Sequence, residues 1–160
     1  MPEREFSLRT ALLPLMSKYD FILIDCPPSL GLLTLNALCS SHSVLVPVQC
    51  EYYALEGLTD LLSTVRLVRA RLNPSLEMEG VLLTMFDGRT NLSLQAAAEV
   101  KRHFPGKLYS VVVPRNVRLS EAPSHGMPVM YYDRASKGAD SYIDLAKELI
   151  RKNTAETKAE

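Results

Sequence analysis

Residues 43–48 read Ser-Val-Leu-Val-Pro-Val, residues 54–72 read ALEGLTDLLSTVRLVRARL, and residues 81–85 read Val-Leu-Leu-Thr-Met. The first and third are short runs apolar on both faces, the pattern required of a strand inside a parallel sheet. Between them Leu55, Leu58, Leu62, Val65, Val68 and Leu72 form a single stripe at helical spacing. Strand, helix and strand in that order make a βαβ unit, which closes as a right-handed crossover. The alternation continues outward. Phe21–Ile24 (FILI) and Leu108–Val113 (LYSVVV) read as further strands. Phe6–Lys18, Leu30–Ser40, Leu92–Phe104 and Lys137–Ile150 read as helices. The predicted fold is therefore α/β, a mostly parallel sheet with helices on both faces. Pro114–Tyr132 has no clear period and reads as a long loop, which in a compact domain is usually functional.

The chain has 160 residues, 47% of them hydrophobic, which suits one domain with a real core. Residues 1–150 are expected to form it, with the polar stretch 151–160 as a disordered tail. No apolar run is long enough to span a bilayer, and the mixed charge of Met1–Glu5 does not resemble a signal peptide, so the expected location is the cytosol. Cys26, Cys39 and Cys50 form no CxxC pair and read as buried, reduced thiols. Basic and acidic residues both total 18, so overall charge favours no partner. Locally, Lys101, Arg102, Lys107, Arg115, Arg118, Arg134 and Lys137 outnumber Glu121 and Asp133, a bias that suits either a polyanion or a solvated surface.

Open α/β sheets bind ligands beyond the carboxyl ends of their strands. Four segments here are strand ends carrying polar residues: Asp25–Pro28, Gln49–Glu51, Asp87–Asn91 and Pro114–Asn116. Asp25 follows four apolar residues, the Walker B arrangement, in which a carboxylate holds magnesium or its waters beside a nucleotide's phosphates. The same aspartate would equally serve as a helix cap. No GxGxxG or GxxxxGK[ST] string is present, and His42, His103 and His125 have no evident nucleophile partner.

Longer strings separate these readings. YDFILIDCPPSLGLLTLNAL (19–38), VPVQCEYYALEGL (46–58), GVLLTMFDGRTNLS (80–93) and VVPRNVRLSEAPSHGMPV (112–129) resemble, in that order, the ParA/Soj family of chromosome-partitioning ATPases. The likeness runs from about Leu8 to Ile150. It implies a P-loop NTPase-like fold of the deviant-Walker class and a homodimer formed around ATP and magnesium. It also implies non-specific DNA binding and hydrolysis stimulated by a ParB/Spo0J-like centromere-binding protein, in the cytoplasm at the nucleoid and with no membrane partner. By resemblance Asp25 is the Walker B aspartate in the outer shell of magnesium, Pro114 and Asn116 contact adenine, and Arg89 and Arg118 contact DNA. Arginine's planar, permanent charge suits phosphate. An ion pair with a nearby carboxylate, Glu121 in the case of Arg118, is the plainer reading of each. Glu51-Tyr52-Tyr53 is left unassigned between dimer seam and core.

The family's K-G-G-V-G-K-T-T phosphate loop and its following D-x-D-P-Q segment are not found in these 160 residues. The resemblance therefore implies a chain truncated at its amino end and inactive as an ATPase by itself, with a non-catalytic fragment that binds full-length subunits or the partner protein as the alternative. It further implies that Phe21–Ile24 and Ser43–Val48 lack a shared neighbour, the strand before the phosphate loop. The two strands are then expected to pair directly, to accept another chain between them, or to leave the chain molten and aggregation-prone through open edges.

Overall fold

In the computed structural model the described residues are 3–27, 29, 31–51 and 54–156, with the side chains of 54–57 and 155–156 left aside. Residues 1, 2, 28, 30, 52, 53 and 157–160 lie outside them. Helices α1 (Ser7–Leu12) and α2 (Leu32–Ser40) precede strand β1 (Ser43–Gln49), helix α3 (Ala54–Arg71), strand β2 (Glu77–Phe86), helix α4 (Asn91–His103) and strand β3 (Leu108–Pro114). Short helices α5 (Val117–Glu121) and α6 (Val129–Tyr132) lead into the long helix α7 (Lys137–Glu156). Single 3-10 turns flank α1 and follow α5.

The sheet has three strands in the order β1-β2-β3, as expected of successive right-handed crossovers. β2 and β3 pair in parallel. β1 meets β2 start to start, Glu77 N donating to His42 O at 2.8 Å, and end to end, Cys50 N donating to Thr84 O at 3.0 Å. Pro47, which has no N–H to give, lies in a strand that is an edge among the described residues.

The fourth expected strand is not there. Phe21–Ile24 belongs to no helix or strand and is unpaired, with Phe21 44% and Leu23 82% exposed. It does not pair with β1, and no described strand runs beside it. An apolar run becomes a strand only when a neighbour takes up its amides and carbonyls. Of the three outcomes expected for the missing neighbour, direct pairing with β1 is not the one seen.

Two compact units make up the chain. The first is Met1–Leu45 with Glu56–Glu79. Its core is Leu38, Cys39, Val65, Val68 and Leu76, against which Phe6, Leu35, Val44, Leu61 and Leu72 pack. Buried Asn36 pins the amino-terminal segment: its Oδ1 accepts from Leu8 N at 3.1 Å and its Nδ2 donates to Arg4 O at 2.9 Å. Asn73 Nδ2 donates to Leu38 O and Ser41 O, both at 2.9 Å, fixing the end of α2.

The second unit is Val46–Leu55 with Gly80–Glu160. β2 approaches β3 so closely at Gly80 that a Cβ there would lie 2.6 Å from Lys107 O. Their register is irregular: Val81 faces Leu108, Leu83 faces Val112 and Phe86 faces Pro114. β3 thus takes four steps where β2 takes two, and its amides at 110 and 111 turn to α7. Glu148, only 6% exposed, accepts from Ser110 N at 3.0 Å, Val111 N at 3.1 Å and Ser110 Oγ at 2.6 Å. Lys152 Nζ lies 3.6 Å from the same carboxylate and 3.7 Å above the ring of buried Tyr109. These contacts carry α7 past Ile150 to Glu156, so the stretch expected to be a disordered tail is helical for its first six residues. Pro114–Tyr132, expected as a loop, holds α5 and α6, each too short to show a helical period.

Burial alone would raise the pKa of Glu148, but the hydrogen bonds from Ser110 and Val111 and the Lys152 charge hold it below the ordinary 4.5. A depressed folded pKa means stability that is present above the unfolded value and lost as pH falls through the folded one. Glu148→Ala is expected to destabilise the chain by about 2–4 kcal/mol, since it removes a charged acceptor from two backbone amides at once. In Glu148→Gln the loss of stability between about pH 4.5 and the acid limit becomes shallower. Urea unfolding at pH 7 and across pH 3–5 measures both, and an unchanged midpoint in Glu148→Ala would contradict the role given to this contact.

Candidate nucleotide- and DNA-facing strand ends

Three of the four polar strand ends converge in the second unit. β1 ends at Gln49, where Glu51 N donates to Gln49 O at 2.9 Å and turns the chain. β2 ends in a bulge: the three steps from Leu83 to Phe86 face two from Val112 to Pro114, and Met85 takes a left-handed φ of 53°. Unbranched Met accepts this conformation at a modest cost, and such strain collects where a strand re-aims its next residues. β3 ends at Pro114, and Arg115 N donates to Phe86 O at 3.2 Å. The Arg115 guanidinium lies 3.5 Å from the Glu51 carboxylate, linking the segment after β3 to the segment after β1.

The segment after β2 is a small rigid loop. Asp87 Oδ1 accepts from Arg89 N at 3.0 Å, an Asx turn, and Thr90 N donates to Asp87 O at 3.0 Å. Thr90 Oγ1 then caps α4 by accepting from Ser93 N at 3.3 Å. Ser93, 3% exposed, returns its Oγ to Asp87 N at 3.2 Å. Arg89, presented by this loop with its side chain 90% exposed, folds back on Asp87. Its Nε donates to Oδ1 at 2.9 Å and its Nη2 to Oδ2 at 2.7 Å. Those side-chain bonds, with the bond from Arg89 N, hold the Asp87 carboxyl down at about 2.

The segment after β3 is built the same way. Asn116 Oδ1 accepts from Arg118 N at 2.9 Å and caps α5, while Nδ2 makes no hydrogen bond among the described residues. Arg118 joins two carboxylates, Nη1 to Glu121 Oε2 at 2.8 Å and Nε to Asp133 Oδ2 at 3.1 Å. Tyr132 Oη donates to the same Glu121 oxygen at 3.1 Å and stacks on His125 with ring centroids 4.8 Å apart. The bonds from Arg118 and then Tyr132 lower the Glu121 pKa.

Pro114, Asn116, Arg89 and Arg118 thus stand on two adjoining strand ends of one unit. Asp25 belongs to the other unit, where it follows the unpaired run Phe21–Ile24 and is exposed. Both arginines carry the ion pairs that were the plainer sequence reading. The partners missed in the sequence are Asp87, whose D-x-R spacing signals an Asx turn, and Asp133, too distant along the chain to leave any signal. Arg102 and Arg115, two more of the locally basic set, also face carboxylates, Glu99 and Glu51. No group of three or more His, Cys, Asp or Glu side chains is gathered for a metal among the described residues, and no helix among them is long and apolar enough to cross a membrane.

A family model described as an AAA domain matches residues 1–78. Among solved structures, cobyrinic acid a,c-diamide synthase from Mycobacterium smegmatis with bound ATP analogue and magnesium is similar over 94% of this chain and 55% of its own, at 36% identity and a TM-score of 0.80. The septum site-determining protein MinD from Pyrococcus horikoshii, complexed with Mg-ADP, is similar over 91% of this chain and 56% of its own, at 27% identity and a TM-score of 0.74. The fold is therefore that of the P-loop NTPase-like α/β proteins of the MinD class. Sequence narrows this further. The sporulation initiation inhibitor protein Soj of Bacillus subtilis is 63% identical over 91% of this chain, and the chromosome partitioning protein ParA of Myxococcus xanthus is 59% identical over 94%. The chain belongs to the ParA/Soj family of chromosome-partitioning ATPases. It spans 58% and 53% of the lengths of those two relatives, a little over half.

The Asp87–Arg89 geometry has a direct readout. In the intact chain the Asp87 carboxyl is expected to titrate near 2 and in Arg89→Ala to return toward 3.8. Carbon-detected NMR of the Asp87 side chain follows it, and identical titration curves in the two proteins would show that the pair does not form in solution.

Proposed function

We propose that this chain is the part of a ParA-type partition ATPase that follows the phosphate loop, and that its complete form is a cytoplasmic, ATP-dependent dimer that binds DNA without sequence preference at the nucleoid. A ParB/Spo0J-like centromere-binding protein is the proposed partner that stimulates hydrolysis. The observation that carries the reading is the 63% identity to Soj across 91% of the chain. Within that form Asp25 serves as the outer-shell carboxylate of magnesium, Pro114 and Asn116 receive adenine, and Arg89 and Arg118 meet DNA phosphates.

The described residues fit one end of a nucleotide and not the other. At the base end, Asn116 has Nδ2 to offer a ring nitrogen, and Pro114 supplies an apolar wall at the end of β3. At the phosphate end, the 160 residues contain no glycine-rich loop to cradle a triphosphate, and no acidic group gathers for magnesium among the described residues. Positioning and charge compensation by such parts make up most of phosphoryl-transfer catalysis, so no hydrolytic step is derived from these side chains.

Two experiments follow from this reading. Isothermal titration of the 160-residue chain with ATP and magnesium is expected to show no micromolar binding. Tight saturable binding would mean that a phosphate site exists within these residues. The second uses the chain completed at its amino end with the corresponding segment of B. subtilis Soj. There Arg89→Ala and Arg118→Ala are each expected to weaken binding about equally on duplexes of different sequence. Each should reduce the slope of log K against log salt by roughly one unit per lost phosphate contact. Affinities equal to the parent's across the salt series would remove both arginines from the DNA interface.

A further inference from the structure

Both arginines on which the DNA reading rests are already engaged. Arg89 is bound edge-on by Asp87 through two parallel hydrogen bonds of 2.9 and 2.7 Å. Arg118 is held from two sides, by Glu121 at 2.8 Å and by Asp133 at 3.1 Å. A guanidinium closed by a carboxylate is, to a phosphate a few ångströms away, a neutral dipole. Non-specific DNA binding depends on the number of net cations that displace counterions from the phosphates. As they stand, the two arginines join that number only once a phosphate has displaced their carboxylates.

We propose that Asp87 on one strand end, and Glu121 with Asp133 on the next, set the DNA affinity of this protein by holding Arg89 and Arg118 as neutral pairs that a DNA phosphate must displace. The inference rests on the DNA reading above. Two features make the exchange feasible. All five groups reach solvent, the Arg89 side chain being 90% exposed and Arg118 51%, and solvent-exposed pairs are held weakly enough for a competing anion to replace the carboxylate. Two oxygens of a phosphate can also accept the guanidinium's parallel N–H groups, as the two oxygens of a carboxylate do. A loop that holds its arginine back in this way limits residence on DNA while leaving the arginine in place for contact.

The carboxylates can be neutralised without dismantling the loops. Asp87 Oδ1 also accepts from Arg89 N, and an asparagine makes the same Asx turn. Glu121 accepts from Tyr132 Oη, which a glutamine oxygen does equally, and Asp133 Oδ1 accepts from Ala135 N, as asparagine would. Asp87→Asn, and separately the pair Glu121→Gln with Asp133→Asn, therefore remove charge while keeping the acceptors.

The test is fluorescence anisotropy with a short mixed-sequence duplex, ATP and magnesium, over a salt series, in the Soj-completed chain. Asp87→Asn is expected to tighten binding about two- to fivefold, the range of a released surface pair. The Glu121→Gln, Asp133→Asn protein is expected to behave likewise through Arg118, which gives a second, independent reading should either variant fold poorly. Adding Arg89→Ala to Asp87→Asn should abolish the gain. If neither carboxylate variant tightens binding while Arg89→Ala and Arg118→Ala weaken it, the restraint is overturned and the DNA reading stands. If the alanine variants match the parent, the DNA reading falls and takes this inference with it.

Discussion

A strand in the interior must hand each amide and carbonyl to a neighbour, and the two edges of this sheet meet that demand in opposite ways. An unpaired buried group costs about 1–3 kcal/mol against a total stability of about 5–15 kcal/mol for a domain, so a few such groups are decisive. At the outer edge of β3 the demand is met by a side chain: Glu148 takes Ser110 N and Val111 N, and Lys152 lies over Tyr109. At the outer edge of β1 no described strand answers it. Phe21–Ile24 has the composition of a strand, but it remains unpaired and largely exposed. The demand that is met on one side of the sheet is met by no described strand on the other.

The site follows from the paired side. β2 lies between β1 and β3, so the three strand ends come out side by side, and the loops they release are tied by Arg115 to Phe86 O and to Glu51. The left-handed Met85 bulge gives the Asp87–Asn91 loop its direction, and Thr90 and Ser93 lock that loop to α4. The proposed function rests on short polar segments, while the apolar strands beneath them fix where those segments start.

Much of this was legible in the residues. β1, β2 and β3 are runs of Val and Leu bounded by polar or turn residues, and α3, α4 and α7 show a helical stripe over several turns. Phe21–Ile24 was misread because pairing is a property of two segments, and one segment's composition does not contain it. α5 and α6, of five and four residues, are shorter than the window in which a period can be seen. The helical continuation through Arg151–Glu156 is polar and looks like a tail; Lys152 packing on Tyr109 is a tertiary contact that overrides that local signal. At the site, the polar strand ends were read directly, as was the Arg118–Glu121 spacing. Asp133 was not, because it reaches Arg118 only after α6 has turned the chain back.

The arginine pairs also show why a contact's energy and its consequence need to be weighed separately. Exposed ion pairs contribute between nothing and about 1 kcal/mol to folding, so neither pair is needed to hold its loop, which backbone amides bonded to Asp87, Thr90, Ser93 and Asn116 side chains already fix. Their effect on the field is larger than their effect on the fold. In a chain with 18 basic and 18 acidic residues, affinity for a polyanion depends on where the cations stand free rather than on how many there are. Arg102 against Glu99 and Arg115 against Glu51 follow the same pattern as Arg89 and Arg118. A surface composed of such pairs presents little field at a distance, yet it keeps planar cations at fixed positions where an incoming phosphate can exchange with the carboxylates.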